Sequence, residues 1–345
     1  MEYNKIYNYL LSNLGYRDQD HWSIFDKKYH QFIKNSEVMK NFRRNGISNM
    51  LETALPSQER NILYTEELYE EDYNQNEIKE IIKRYKELIL MVDKEDLIFN
   101  NNIGSPRKYI YENNILNFDD LYHVYSYWQI KRFLNILDIE PSIITEIGGG
   151  YGNLADKIKQ YFSRSKYIII DLPEVLLIQY YYLINNNSNY KIIVFQEGDN
   201  VDELEFDILL MPFNLYHNTT YKSDLIISTR ALGEMPKIEL DKYLKWIQNN
   251  INLDGTFYTV NRYVFTKSKD QNKIRDYNFD EKWKVLLSKP TWLQSHLHEF
   301  ILQRSEKETI PLSFTLQSFP ISTPPPGPIM EDIQTQKEWI KVQKL

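Results

Sequence analysis

The segment richest in potential chemistry is IITEIGGGYGNLADKI, Ile143–Ile158. A short apolar run ends at Glu146-Ile147. Gly148, Gly149, Gly150, Tyr151 and Gly152 follow, and then a segment with helical character. A strand, a glycine loop and a helix in this order let backbone N–H groups approach a ligand closely at a helix N-terminus. A second acidic position, Asp171 of Asp171-Leu172-Pro173, stands 19 residues beyond Gly152. A carboxylate about 20 residues past such a loop is placed to accept hydrogen bonds from ribose hydroxyls. Together the two features point to a nucleoside cofactor. The same residues also have a purely structural reading, a tight turn and then a helix start with Pro173 in its first turn.

Further candidates sit in loops that follow later apolar runs. In open α/β sheets, loops at the carboxyl ends of strands build the binding crevice. Two segments compete for the base of the cofactor, Gly198-Asp199-Asn200 and Met211-Pro212-Phe213-Asn214. The second is favoured because it lies nearer in sequence to the next strand. Ser228 ends the run Asp224–Ser228, and Thr229–Pro236 follows it. In that loop Glu234 can take a proton from an acceptor hydroxyl, or serve as a carboxylate favoured by the dipole of the next helix. Arg230 and, after Thr256–Val260, Arg262 and Tyr263 are candidates for substrate contact. Arg262 suits a carboxylate or phosphate, or an ordinary surface ion pair. His217 is a second candidate base, although an isolated histidine more often has a structural or surface role. No His-x-x-x-His pair or clear metal-ligand spacing occurs, so the sequence implies no metal.

These residues need elements to hold them. Before Pro141 the pattern is helical. In Glu77–Leu97 the residues Ile78, Ile81, Ile82, Tyr85, Leu88 and Ile89 form an apolar stripe, and Glu80 and Arg84 form an i,i+4 pair. Asp119–Leu137 is a second strong helix, and Tyr3–Leu14, Trp22–Lys34 and Glu37–Leu51 are weaker ones. After Pro141 short apolar runs alternate with helices. The runs are Ile143–Ile147, Lys166–Ile170, Lys191–Phe195, Phe206–Met211, Asp224–Ser228 and Thr256–Val260. The helices are Asn153–Phe162, Glu174–Asn185 and Lys237–Asn250. This alternation predicts βαβ units and a mainly parallel sheet buried on both faces. Trp283–Leu287 and His298–Gln303 lack a crossover helix between them, which suits an antiparallel end. The expected organisation is a helical cap and substrate region at 1–140, a cofactor domain at 141–308 and a Pro-rich arm at 309–345. The arm wraps the surface or is a disordered tail, and Glu331–Leu345 is a candidate terminal helix.

Composition narrows the classes. The chain has 345 residues, is 42% hydrophobic and 26% charged, and carries a net charge of −7. That suits a globular protein and argues against a dedicated nucleic-acid binder. With no cysteine, disulfides, thiol nucleophiles and cysteine metal sites are excluded. No apolar run approaches the ~20 residues of a membrane-spanning helix, and the run Val175–Ile184 is broken by Gln179. No signal peptide is recognisable, so the expectation is a cytoplasmic protein. Tyrosine is abundant, at 27 against 16 Phe and 6 Trp. This is a hint of carbohydrate stacking or, more simply, of tyrosine-rich packing.

Several segments resemble the bacterial sugar O-methyltransferase family of class I S-adenosyl-L-methionine (SAM) dependent enzymes. They are IGSP at Ile103–Pro106, ITEIGGGYGNLA at Ile144–Ala155, YIIIDLPEVLLIQYYYL at Tyr167–Leu183 and SDLIISTRALGEMP at Ser223–Pro236. NRY at Asn261–Tyr263, WKV at Trp283–Val285 and HEFILQR at His298–Arg304 are similar too. Gly148, Gly150 and Gly152 form the G-x-G-x-G of a SAM loop, whereas the nicotinamide fingerprint needs glycine at Asn153. The resemblance implies a seven-stranded Rossmann-like α/β sheet, mostly parallel with an antiparallel last strand, under an N-terminal helical cap. It implies SAM held by Glu146, Gly148, Gly149, Gly150, Tyr151, Gly152, Asp171, Leu172, Pro212, Phe213, Asn214 and Ser228. It further implies methylation of a sugar hydroxyl in a surface glycan or in its nucleotide-linked or lipid-linked precursor. The family often carries S-L-x-E-M after the fourth strand. Here the run is Ala231–Met235, with Ala231 in place of the serine and Glu234 retained. Glu234 is then the base or the substrate orienter, with His217 second, and Arg230, Arg262 and Tyr263 face the sugar. A homo-oligomer through the N-terminal helices or the C-terminal arm is an open expectation. A catalytically inactive binding protein of the same fold stays open, as does a nicotinamide oxidoreductase, which Asn153 disfavours.

Overall fold

The computed structural model describes residues 2–12, 39–43, 74–99, 102–265, 272–292 and 297–306, with Leu312, Leu316 and Phe319. Trp22–Lys34, most of Glu37–Leu51, the terminal helix Glu331–Leu345 and most of the Pro-rich arm lie outside the described residues.

The parallel strands form where the apolar runs were read. A hairpin of β1 (Tyr109–Tyr111) and β2 (Asn114–Leu116) precedes them. The main sheet contains β3 (Ile143–Ile147), β4 (Lys166–Asp171), β5 (Ile192–Val194), β6 (Ile208–Pro212), β7 (Ser223–Thr229), β8 (Ile251–Arg262), β9 (Trp283–Pro290) and β10 (Leu297–Arg304). Its order is β5-β6-β4-β3-β7-β8-β10-β9. Strands β3 to β8 pair in parallel, and β10 runs antiparallel between β8 and β9. The chain thus turns from one side of β3 to the other between β4 and β7, and this reversal is where such sheets bind ligands. The main sheet has eight strands, one for each apolar run read in the sequence and one more than the seven that the resemblance implies. Two runs separate Asp171 from β7, and both pair into the sheet. The three-residue β5 takes the outer edge and β6 takes the place beside β4.

Side chains alternate across the two faces with the period of a strand. Ile144, Tyr167, Ile169, Ile208, Leu210, Leu225 and Ile227 enter one core. Ile147, Ile168, Ile170, Leu209, Met211 and Ile226 enter the other. The helices are α1 (Glu2–Ser12), α2 (Gln75–Met91), α3 (Phe118–Ile136), α4 (Asn153–Tyr161), α5 (Pro173–Asn186) and α6 (Lys237–Asn250). Helices α4 and α5 cover the first face and α6 the second. Leu312 and Leu316 of the C-terminal segment are buried in the second core, with Phe319 against it.

Helix α3 has no single apolar stripe because it is buried on two sides. Tyr122, Tyr127, Ile130, Phe133 and Leu134 join the sheet core. Leu121, Val124, Tyr125 and Trp128 join a cap core with Ile81, Tyr85 and Leu88 of α2, Leu116 of β2, and Trp292. Helix α2 starts at a capping box in which Asn74 accepts from the Glu77 N–H and Glu77 accepts from the Asn74 N–H. Glu80 and Arg84 form the expected pair at 2.6 Å. Arg84 also donates to the Trp292 carbonyl at 2.9 Å, and the Trp292 indole donates to Glu87 at 2.9 Å. Among the described residues no helix is long and apolar enough to cross a membrane.

Trp292 therefore ties the cap to the sheet's far edge. Trp292→Ala should lower stability by ~3–5 kcal/mol, the range for removing a large buried aromatic. Urea denaturation followed by circular dichroism reads this loss.

Candidate active site

The glycine loop lies between β3 and α4, beside the end of β4. Gly148, Gly150 and Gly152 have φ values of +74°, +57° and +96°, a region L residues rarely occupy. The Gly148 N–H donates to the Ile170 carbonyl at 3.0 Å. A methyl built on Gly148 would overlap the Ala231 side chain, and one on Gly149 would lie 2.8 Å from Ile169. The loop therefore touches two neighbours, the end of β4 and the turn after β7.

Asp171 is half-buried at the end of β4. Its carboxylate accepts from the Leu172 N–H at 2.8 Å and from Gln179 Nε2 at 2.7 Å, and Gln179 Nε2 also reaches the Gly150 carbonyl at 2.9 Å. A carboxylate offers about four lone-pair directions, so acceptor capacity remains for a diol. Leu172, not Asp171, is the N-cap of α5. Burial raises the Asp171 carboxyl to about 7, against the opposing bonds from Leu172 and Gln179. Glu146 lies beneath the loop, 1% exposed, and accepts from the Tyr167 hydroxyl at 2.9 Å. Burial raises it to about 7 as well, with Asp171 adding to the shift.

The sheet brings one of the two candidate base segments beside Asp171. Pro212 pairs with Asp171 in register, and the Phe213 N–H donates to the Asp171 carbonyl at 2.9 Å. Pro212, Phe213 and Asn214 therefore stand next to Asp171. The turn at Gly198 follows β5, on the sheet's outer edge. Three buried polar atoms near these strand ends, Gln179 Oε1, Asn214 Oδ1 and Ser228 Oγ, have no hydrogen-bond partner among the described residues.

A buried network fastens the loop to the cap. Asn153, the first residue of α4, donates to Asp120 at 2.7 Å, sits 2.9 Å from His123 Nδ1, and accepts from the Tyr182 hydroxyl at 3.0 Å. Asn117, the N-cap of α3, accepts from the Asp120 N–H and donates to its carboxylate. Burial acts to raise the Asp120 carboxyl, but Lys157, Arg43 and the bonds from Asn153 and Asn117 outweigh it and hold it below the usual range. Burial pushes His123 down to about 3, so it is neutral here. The Tyr151 side chain turns into the cap, against Phe42, His123 and Tyr182, with the Arg43 guanidinium 4.7 Å from its ring centre.

On the other side of the crevice, Arg230 follows β7 with φ +63°. Its guanidinium lies 4.3 Å over the Tyr122 ring. Burial lowers the Arg262 pKa, opposed by the nearby Glu234 and reinforced by Arg230. Arg230, Glu234 and Arg262 thus share one neighbourhood. Two other candidates do not join it. His217 is exposed, edge-on to Tyr216, which stacks on Tyr243 of α6. The Tyr263 hydroxyl is 2.9 Å from His298 Nδ1 and its ring meets Phe319. Both observations give them structural surroundings.

The model of the O-methyltransferase domain family matches residues 76–264, from α2 to just beyond β8. The chain belongs to this family. Its fold is that of the class I methyltransferases, and the family cofactor is SAM. No curated protein sequence matches the chain. Among solved structures it is similar to mitomycin 7-O-methyltransferase, at 12% identity and a TM-score of 0.36 over 54% of this chain and 57% of that one. It is also similar to magnesium protoporphyrin IX methyltransferase from Synechocystis PCC 6803 with bound SAM. There the identity is 13% and the TM-score 0.39, over 55% of this chain and 85% of that one. Human N-acetylserotonin methyltransferase in complex with SAM matches at 13% identity and a TM-score of 0.32, over 55% and 59%. The match thus spans less than two thirds of the mitomycin enzyme's chain.

The residues present fit SAM. The loop has no room for side chains at Gly148 and Gly149, Asp171 retains acceptor capacity, and unpartnered polar atoms lie at the same strand ends. Sequence reasoning passed over Gln179 and the Asn153 network as parts of the site. The visible signals were a lone polar residue inside an apolar helix and a non-glycine at the loop's end.

Because Asn153 is bonded on three sides, Asn153→Gly should not create a nicotinamide site. It should cost ~1–3 kcal/mol for each buried partner left unpaired, read by urea denaturation. The raised Asp171 and Glu146 carboxyls mean that the folded chain holds these protons more tightly than the unfolded chain. The stability they contribute is present at low pH and is lost as pH rises through about 7. A diol bound at Asp171 would need the ionised acceptor, so with SAM bound there its affinity should change in the opposite sense. Calorimetry should show SAM binding weakening as pH falls below 7, by up to about tenfold per unit, with the dependence reduced in Asp171→Asn.

Proposed function

We propose that this protein is a SAM-dependent O-methyltransferase whose acceptor is a sugar hydroxyl in a surface glycan or its activated precursor. One observation carries the reading. Gly148 packs directly against Ala231, so the cofactor loop and the charged turn Arg230–Glu234 meet at the sheet's reversal point. A methyl donor on the loop and an acceptor on that turn are then neighbours. SAM supplies a methyl group already activated on a sulfonium.

In this reading Asp171 receives the ribose hydroxyls, with Leu172 and Gln179 fixing its carboxylate. Pro212, Phe213 and Asn214 border the adenine. The loop glycines take the amino-acid portion, supported from below by Glu146, and the Ser228 hydroxyl is available to the same ligand. Alignment of the acceptor oxygen supplies much of the rate. Glu234, flanked by Arg230 and Arg262, orients the acceptor, and the exposed His217 is set aside. A polyhydroxylated acceptor suits this side because Arg230, Arg262 and Glu234 offer charged donors and acceptors. The resemblance to sugar O-methyltransferases supports the same acceptor class. The family match and the fastened Asn153 both speak against nicotinamide chemistry.

Two measurements test the reading. SAM should bind the purified protein in calorimetry, and Gly148→Arg should abolish binding. Carbohydrate from cells lacking the gene should be lighter by one CH2 group per modified residue in mass spectrometry. With that carbohydrate as acceptor, Glu234→Gln should lower methyl transfer about 10–100-fold at unchanged SAM affinity. Near-normal turnover would remove Glu234 from the site.

A further inference from the structure

The first turn of α3 carries a buried acid that the network above does not use. Asp119 is 1% exposed, and neither of its carboxylate oxygens has a hydrogen-bond partner among the described residues. Its neighbour Asp120 is held by Asn117 and Asn153, with Lys157 3.9 Å away. A negative charge at a helix N-terminus is favoured, but the dipole does not replace lost hydrogen bonds. A buried carboxylate without partners is costly. Such a group calls for a specific explanation, and a ligand that completes it is one.

The surroundings say which ligand. Arg43 and Arg230 both favour the charged form of Asp119, and Asp120 opposes them. Arg230 is the residue that leaves β7 in the left-handed conformation and lies over Tyr122, three residues after Asp119. Asp119 thus shares the electrostatic neighbourhood of Arg230, one helical turn before the Tyr122 ring that Arg230 covers, whereas Asp171 stands at the end of β4. Neutral His123, on the same face of α3, spends its Nδ1 on Asn153.

We propose that Asp119 is the catalytic base, accepting the acceptor hydroxyl's proton during methyl transfer while Glu234 orients that hydroxyl. This rests on the SAM-dependent reading above. The acceptor oxygen forms the new C–O bond as the C–S bond breaks, and the bonding pair stays on sulfur. The hydroxyl proton passes to an Asp119 oxygen and from there to water. Burial, with Asp120 adding and Arg43 and Arg230 opposing, leaves the carboxyl at about 6, which is close to neutral and effective for a general base.

The test uses Asp119→Asn and Asp119→Glu in the full-length protein. The isosteric amide removes an unpaired buried charge, so its melting temperature should equal or exceed that of the wild type. SAM affinity by calorimetry should stay within about threefold. The methyl-ether content of carbohydrate from cells carrying Asp119→Asn should fall at least ~100-fold, while Asp119→Glu should retain about a tenth or more. A lowered melting temperature would make Asp119 structural and overturn the proposal. Loss of SAM affinity beyond about tenfold would assign it to the cofactor's ammonium group and also overturn it. Normal methylation by Asp119→Asn would do the same. Failure of the underlying reading is distinguishable, because it appears in the wild type as absent SAM binding or absent methyl ether.

Discussion

The structure depends on one buried junction, the Asp120 carboxylate shared between Asn117 of the cap and Asn153 of the glycine loop. A buried carboxylate is costly unless its lone pairs are filled. Here that demand fixes two elements at once. It pins the first turn of α3, and it pins the first turn of α4 directly after Gly152. The left-handed glycines give the loop freedom, and the Asn153 side chain removes it again. Tyr182 extends the same network to α5, the helix whose Gln179 holds Asp171. The loop, the Asp171 carboxylate and the cap are therefore joined by one hydrogen-bond network, which suits the pre-formed geometry of a small-molecule site.

Most of the sheet was legible because parallel strands buried on both faces have little freedom in composition. Ile143–Ile147 and Lys237–Asn250 coincide with their elements, and other ends differ by a residue or a few. β8 exceeds its expected span most, because Ile251–Gly255 includes polar residues that break the apolar run. The position of β6 was legible only through its nearness in sequence to β7, which favoured the run ending at Met211 over the one before Gly198. The register of Pro212 with Asp171 agrees with that choice.

The site was legible to the extent that its chemistry needs unusual backbone. Glycines in a row and an acid after a strand are visible because few other arrangements serve. Side chains that act through long-range contacts leave a fainter trace. Gln179 was noticeable as a break in an apolar run, yet its function needs the fold that brings Asp171 and Gly150 together. Tyr151 sits within the glycine motif by sequence, but its ring packs between Phe42 and Tyr182 of α5. Sequence adjacency describes where a backbone passes, not where a large side chain packs.

The tyrosine excess illustrates the same distinction. Tyr125 and Tyr258 both donate to buried Glu299, Tyr127 donates to Asp96, and Tyr167 to Glu146. Each pair solves one problem twice. The ring fills the core, and the hydroxyl fills a lone pair on a carboxylate that would otherwise be buried unpaired. A chain that places so many acids beside its sheet core needs donors there, and tyrosine supplies them without adding charge. Asp119 stands out against this rule. The same fold that provides a partner for Asp96, Asp120, Glu146 and Glu299 provides no hydrogen bond to it among the described residues, one helical turn before the Tyr122 ring that Arg230 covers. The difference lies in where the acid sits rather than in how deeply it is buried.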